Sequence, residues 1–363
     1  SKLPVVMGVS FTFVGSLSFI ASTYNYETMI GAVIIGGIVE GLLGLSYKYW
    51  KKLISPIVSA CVVTTIGFSL LPVGVRSFGG GYVKDFASPK YIIVGLITLL
   101  SCILFNIFAK GYMKPLNVLF GLVVGYIVSI FMGIVDFNSL QNIINQVGIV
   151  SLPKFLPYKP IFNFGTIVSV IIVFLVSAAE TIGDTSAVVS GGLSRDITDE
   201  EVSGSLSCDG FVSAISGCFG CAPITSFSQN VGLINMTKVV NRFTIMTGAL
   251  ILIISGIIPP IGALFSTLPQ AVLGGCTIMM FGTIVVSGMG MIGKCGYTQR
   301  NTIIVALSVS VGLGFTQVPE IFNFAPAIVK DIFSGNPVAG VFVISMILNL
   351  TLPKDMEIKK ITE

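Results

Sequence analysis

Three carboxyls stand in stretches that otherwise carry almost no charge. Glu180 and, four residues on, Asp184 close the run "IVSVIIVFLVSAAETIGD", and Asp209 opens "CDGFVSAISGCFG". A carboxyl at membrane depth costs on the order of 3 kcal/mol and normally faces a polar cavity. A spacing of four places Glu180 and Asp184 on one helix face, a turn apart. Two carboxyls on one buried face do not both ionise easily, which suits a cation or a proton as their partner. For Asp184 the alternative is hydrogen bonding to nearby Ser or Thr. Asp209 either caps its helix or faces the same cavity. The second polar cluster is "APITSFSQNVG" at 222–232, where Thr225, Ser226, Ser228, Gln229 and Asn230 crowd five hydrogen-bonding side chains into six positions. A carboxylate facing an amide offers donors and acceptors in one plane. That pair matches the edge of a flat heterocycle bearing N–H and C=O groups, and the aromatic Phe11 is a candidate to cover the ring.

The missing chemistry narrows the class further. The chain has no histidine, so no nucleophile–base pair can be assembled. No G-x-x-x-x-G-K-[ST] loop and no glycine-rich dinucleotide turn after a strand appears. Enzymatic hydrolysis and ATP-driven transport are both unsupported. Cys218 and Cys221 form a C-x-x-C, but a second pair is absent and the seven cysteines sit mostly in apolar context; a metal site is not indicated. No cofactor is expected beyond a coupling ion, a proton or alternatively sodium bound by Asp and Asn oxygens. Glu40 lies within two turns of a loop, so snorkelling to the interface competes with a functional role. Arg195, Asp196, Asp199, Glu200 and Glu201 read as a solvated loop.

The elements that must position these side chains follow from composition. Only 10% of residues are charged, 53% are hydrophobic, and the mean hydropathy is +0.96, against roughly 25% charged in soluble domains. A run of about 20 apolar residues spans the hydrocarbon as a helix. Segments 29–45, 56–71, 91–109, 116–135, 164–179, 243–258, 271–291, 302–315 and 338–350 qualify. An all-α polytopic membrane protein is expected, because lipid admits only helices or closed barrels and no ten-residue alternation is present. The net charge of +4 follows the membrane and does not point to nucleic acid. Assigning loops alternately to two sides leaves six of the 20 Lys and Arg on one side (Arg76, Lys84, Lys90, Lys154, Lys159, Lys330) and the rest on the other. Positive residues accumulate in the cytoplasm, so both ends of the chain are expected there, with about twelve crossings. That count requires 208–219 and the stretch after Gln229 to cross as short, interrupted helices. The opening "SFTFVG" at 10–15 echoes "SFSQNVG" at 226–232, each preceded by a proline (Pro4, Pro223). Paired broken helices in matching halves of a chain point to a transporter site, where helix N-termini present free amide N–H groups to a ligand.

These residues also carry a family likeness. "SQNVGLINMTK" at 228–238 resembles the signature of the nucleobase–ascorbate transporter family, Gln/Glu–Asn–x–Gly–four residues–Thr–basic, with Gln229, Asn230, Gly232, Thr237 and Lys238 in those places. "AAETIGDTSAV" at 178–188 is similar to the family's eighth-helix motif, and "CDG" sets Asp209 on its ninth-helix aspartate. "PVGVRSFGGG", "RNTIIVALSVSVGLG" and "VPE" extend the likeness essentially end to end. The resemblance implies fourteen helices in two inverted repeats, a core domain working against a gate domain, and short strands in two interrupted helices. Mapped here, 1–46 and 164–258 are core, 53–136 and 268–352 are gate, and 353–363 is a cytoplasmic tail. The chain then begins at the third family helix and reads as a partial sequence. By the same resemblance Glu180 is the substrate carboxylate, Gln229 the discriminating side chain, and Phe11 and Ser228 mark backbone contacts. Ser10 falls where purine carriers vary, and Asp184, Asp209 and Asn230 fall on positions tied to site geometry or cation coupling. Gln at 229 resembles xanthine and urate carriers, whereas uracil permeases tend to have Glu there and ascorbate carriers Pro. The expectation is a proton-coupled symporter of a bacterial plasma membrane, importing xanthine or urate by an elevator-type mechanism and working as a homodimer. The alternatives are a uracil permease, a sodium-coupled nucleobase carrier, or a sulfate- or bicarbonate-like anion carrier on a similar fold. The last predicts a cationic site, and carboxylates repel such anions.

Overall fold

The computed structural model describes residues 2–51, 55–137, 141, 145–146, 148–326, 329, 333 and 336–353. Each of the nine apolar segments has a helix at its core, although 116–135 runs four residues past the helix that ends at Phe131. In chain order the helices used below are α1 Val14–Thr23, α2 Tyr26–Leu45, α3 Pro56–Phe78, α4 Pro89–Phe108, α5 Asn117–Phe131, α6 Phe164–Val188, α7 Asp199–Cys218, α8 Ser228–Thr237, α9 Arg242–Ile257, α10 Pro259–Ser266, α11 Gln270–Cys295, α12 Gln299–Gln317 and α13 Pro337–Thr351. Among the described residues five helices are long and apolar enough to cross a membrane, and six if α9 and α10, bent by 88° at Ile258, form one span. The 353–363 tail beyond Pro353, and Lys52, Lys330, Lys354, Lys359 and Lys360 of the charge count, lie outside the described residues.

Two expectations are corrected at α7. Asp209 sits in the middle of this 20-residue helix, not at the start of a short crossing, and so caps nothing. The true start lies ten residues earlier, because Thr198 and Glu201 form a capping box: the Glu201 N–H donates to Thr198 Oγ1 at 3.3 Å and the Thr198 N–H donates to Glu201 Oε2 at 3.1 Å. Asp199, Glu200 and Glu201 fill the first turn, where negative charge complements the helix dipole. The acidic cluster expected as loop is therefore half helix, with Arg195 gripping Glu201 at 2.5 Å.

The chain packs as two compact units, residues 1–69, 155–231 and 284–363 forming one and 70–154 with 232–283 the other. In the first, α2 and α7 approach until their backbones touch. A Cβ on Gly210 of α7 would lie 2.7 Å from both the Gly37 carbonyl oxygen and the Glu40 carbonyl carbon of α2. Gly37, Gly41 and Gly44 keep that face of α2 bare against Ser207, Gly210, Phe211 and Ala214. Small residues at such spacing allow close helix association where lipid offers no hydrophobic drive. Beside this seam lies an apolar core: Phe13, Leu17 and Ile20, Met29, Ile30 and Val33 of α2, and Val170, Val173 and Phe174 of α6. The Phe13 and Phe174 rings meet edge-on at 4.6 Å, a favoured aromatic geometry. In the second unit, Val94 of α4 packs with Ala271 and Val272 of α11, and the Cys102 and Cys276 sulfurs lie 3.9 Å apart.

The one sheet among the described residues has two strands. β1, Met7–Val9, pairs antiparallel with β2, Ile224–Ser226, in the register Met7 with Ser226, Gly8 with Thr225 and Val9 with Ile224. The ladder continues past both ends, through Ser10 N–H to the Pro223 carbonyl at 3.1 Å and Phe227 N–H to the Val6 carbonyl at 3.0 Å. A Cβ on Gly8 would meet the Phe227 ring at 2.6 Å, so any larger residue there has to displace that ring.

Candidate substrate site

Both strands of the ribbon run straight into helix starts. After β1, the Ser10 hydroxyl accepts from Thr12 N–H at 3.2 Å and caps a 3₁₀ turn, Phe11–Phe13, that leads into α1. After β2, α8 begins at Ser228. The two sequence echoes thus form one structure, a short ribbon from which two helices start. Asn230 locks it, its side-chain amide donating to the Pro4 carbonyl at 3.1 Å.

The three carboxyls line up behind the ribbon, each held by hydroxyls. Thr12 Oγ1 donates to Glu180 Oε2 at 2.7 Å, joining the first break to α6. Asp184, one turn on, accepts from Ser226 Oγ at 2.9 Å and from Ser228 Oγ at 2.8 Å, joining the second break to the same helix. Thr181 Oγ1 donates to Asp209 Oδ2 at 2.5 Å, and Thr181, Thr225 and Ser177 continue a hydroxyl chain at 3.0–3.2 Å. Hydrogen bonds to charged groups are roughly twice as strong as neutral ones. α6 therefore acts as a spine, with one turn reaching the first break and the next turn reaching the second.

A small cavity of about 20 Å³ lies in front of this spine, lined by Phe11, Glu180, Ser228 and Gln229 together with Ile66 and Ile284. Four of the five expected substrate residues therefore converge. Ser10, the fifth, is buried and caps the turn from behind. Asp184, Asp209 and Asn230 stay out of the lining and hold the surrounding elements. Glu180 is half-buried and Gln229 is exposed. The cavity has room for about one water. A larger void of about 650 Å³ begins one turn along α6 and is lined by Gly183, Ser186 and Ala187, by Ser190 in the π-helical turn that follows, and by Lys294 and Arg300. Glu180, Gly183 and Ala187 share a face of α6, so the void lies along the face that carries the carboxyl. Ligand pockets usually enclose about 300–1,000 Å³, and this volume falls in that range.

Sequence reading missed Thr12 and Thr181. The signal for Thr12 was its place inside the first echo, as a hydroxyl in an otherwise apolar hexapeptide. Thr181 carried only its adjacency to Glu180. Glu40 is a correction: its side chain does not snorkel outward but is 1% exposed against α7. The small-residue seam draws α2 and α7 together over it.

A family model described as Permease family matches residues 1–321. Xanthine permease XanQ of Escherichia coli (strain K12) is 34% identical over 97% of this chain and 78% of its own length. Uric acid permease PucJ of Bacillus subtilis (strain 168) is 33% identical over 93% of this chain and 76% of its own. The transmembrane domain of the cyanobacterial bicarbonate transporter BicA matches with a TM-score of 0.60 and 16% identity, over 96% of this chain and 84% of that one. At that identity the likeness shows the fold alone.

Proposed function

The chain belongs to the nucleobase–ascorbate transporter family of permeases, integral membrane carriers rather than enzymes, and from that premise we propose that it imports an oxopurine, xanthine or urate, with protons. The observation that carries this reading is the convergence of Glu180, Gln229, Phe11 and Ser228 on one cavity beside two helix starts. In this reading the Glu180 carboxyl accepts ring N–H groups. The Gln229 amide donates to and accepts from the imide edge at once, and Phe11 covers the ring face. A second carboxylate at 229 would only accept unless protonated, which favours an oxopurine over uracil. The names of XanQ and PucJ support the same class. The bicarbonate carrier's fold lends no support to anion transport here, because this cavity holds a carboxyl and no fixed cation among its lining residues.

The site cavity is too small for a purine, so loading requires the lining to open. Gln229, its exposed member, is the side chain freest to move, and the void along α6 offers a route. The substrate-bearing parts, 1–46 and 164–258, act as core in an elevator-type displacement against 53–136 and 268–352, and the carrier works as a homodimer with both chain ends in the cytoplasm of a bacterial cell. Ser10 sets the Thr12 turn, and Asp184, Asp209 and Asn230 set site geometry or couple the cation.

The test is uptake of labelled xanthine into proteoliposomes, with an imposed pH gradient present or absent at fixed sodium, and with urate and uracil as competitors. The expected result is gradient-driven uptake that urate competes and uracil does not. Uptake that follows sodium and ignores protons would overturn the coupling. Competition by uracil alone would overturn the substrate.

A further inference from the structure

Glu40 has no role in the site described above, and its surroundings are unusual. It is 1% exposed, and neither carboxyl oxygen has a hydrogen-bond partner among the described residues. Asp209, across the α2–α7 seam, is fully buried; its Oδ2 accepts from Thr181, and its Oδ1 has no partner. The two side chains are within electrostatic reach of each other. The seam holds them there: Gly210, next to Asp209, lies on the backbone of Glu40 and Gly41 with no space for a side chain.

Three helices pack on α2, and each brings a known set of titratable groups. α7 contributes Asp209 and its neighbour Cys208, and α6 contributes Glu180 and Asp184, both in the field of Asp209. α1 contributes none. Neither Glu40 nor Asp209 makes an ion pair among the described residues. Three acceptor oxygens therefore lie in a dry seam without a hydrogen bond among the described residues, and the buried Ser207 hydroxyl on the same seam is not bonded to any of them. Two ionised carboxyls so placed repel each other and lack water, a state that buried charges avoid by neutralising. A single proton removes the repulsion, since it leaves only one of the two carboxyls charged. A divalent ion would need six or more oxygens, and among the described residues no cluster of three or more metal ligands exists.

We infer that Glu40 and Asp209 form a proton-binding site, separate from the substrate cavity, that carries the coupling proton. This rests on the transport reading above and deepens it. Asp209 links the site to the substrate through Thr181, which is adjacent in sequence to Glu180 and hydrogen-bonds both Asp209 and Thr225. Loss of the proton leaves like charges across the seam, and Thr181 passes that strain to the cavity wall.

The experiment separates exchange from accumulation. Proteoliposomes holding the parent protein or Glu40→Gln are assayed for xanthine counterflow without a gradient, and for accumulation driven by an imposed pH gradient at fixed sodium. The expected result for Glu40→Gln is counterflow within twofold of the parent, and accumulation reduced tenfold or more. Accumulation equal to the parent's would overturn the inference. So would loss of counterflow together with accumulation, because Glu40 would then be serving the cavity itself. A parent that exchanges no base would sink the transport reading and leave this inference to a second measurement. The same measurement decides the case if Glu40→Gln does not reach the membrane. The unmodified protein is treated with dicyclohexylcarbodiimide, an apolar reagent for protonated buried carboxyls, and adducts are mapped by mass spectrometry. Labelling of Glu40 or Asp209 that falls as pH rises supports the site. No labelling at any pH, or protection by sodium, overturns it.

Discussion

Replacing Thr12 by Val removes one hydroxyl and little else. The side chain is 3% exposed inside the 3₁₀ turn, and Val matches Thr in shape, so no cavity opens. What disappears is the 2.7 Å hydrogen bond to Glu180 Oε2. Such a bond contributes about 1.5–3 kcal/mol when the acceptor is charged and about 1 kcal/mol when it is neutral. Since about 1.4 kcal/mol is tenfold in affinity, complete loss of Glu180 orientation weakens oxopurine binding by about 10–100-fold. The bond exists before the base arrives, so the free protein bears part of that loss, and the expected weakening is about 5–50-fold. Thr12→Ser keeps the hydroxyl and should stay within about threefold of the parent, a difference under 1 kcal/mol. Equilibrium binding of labelled xanthine to purified protein measures all three, with counterflow as the functional counterpart. Thr12→Val binding within about twofold of the parent would show that Glu180 needs no hydroxyl to hold it, and would refute the reasoning. A Thr12→Ser as weak as Thr12→Val would move the effect to the lost methyl.

Glu180→Gln should abolish measurable xanthine uptake, and Gln229→Glu should shift competition from urate toward uracil; normal transport by Glu180→Gln would remove the acid from the site. Gly210→Ala should destabilise the protein by about 1–3 kcal/mol through overpacking against the α2 backbone. Gly183→Ala meets only the Met291 Cε, at 3.4 Å, and should be neutral or slightly stabilising by helix propensity; thermal melting in detergent compares the two. The Arg195 guanidinium holds the Glu201 carboxyl at about 2, below its usual 4.5. A depressed carboxyl stabilises the fold above its unfolded value and loses that contribution as pH falls through the folded one. Arg195→Gln should therefore lower the melting temperature at neutral pH, with the gap to the parent closing between about 4.5 and 2.

The helices were legible because nine apolar segments leave the backbone no other way to satisfy itself in lipid. Four residues that line the small cavity beside the ribbon were legible too, since charge and amide groups stand out against such a background. Contacts between distant segments were harder to read. Nothing local in "SFTFVG" states that Thr12 reaches Glu180, a contact made by the pairing of β1 with β2. The start of α7 was misplaced because three acids in a row resemble a solvated loop, whereas Thr198 and Glu201 make them a first turn. Glu40 was misjudged for a related reason. Distance along the chain from a loop sets how far a side chain must reach, but the glycines of the opposing helix decide whether it can leave.

The pairing of Met7–Val9 with Ile224–Ser226 also constrains how this protein is made. When β1 leaves the ribosome its partner is still about 200 residues from being translated. At about 5–20 residues per second, that is a wait of roughly 10–40 s. Until then the amides and carbonyls of residues 7–9 lack their ladder, and bare backbone is not tolerated in hydrocarbon. The first break must therefore wait beside water or within the insertion machinery while the middle of the chain enters the bilayer ahead of it.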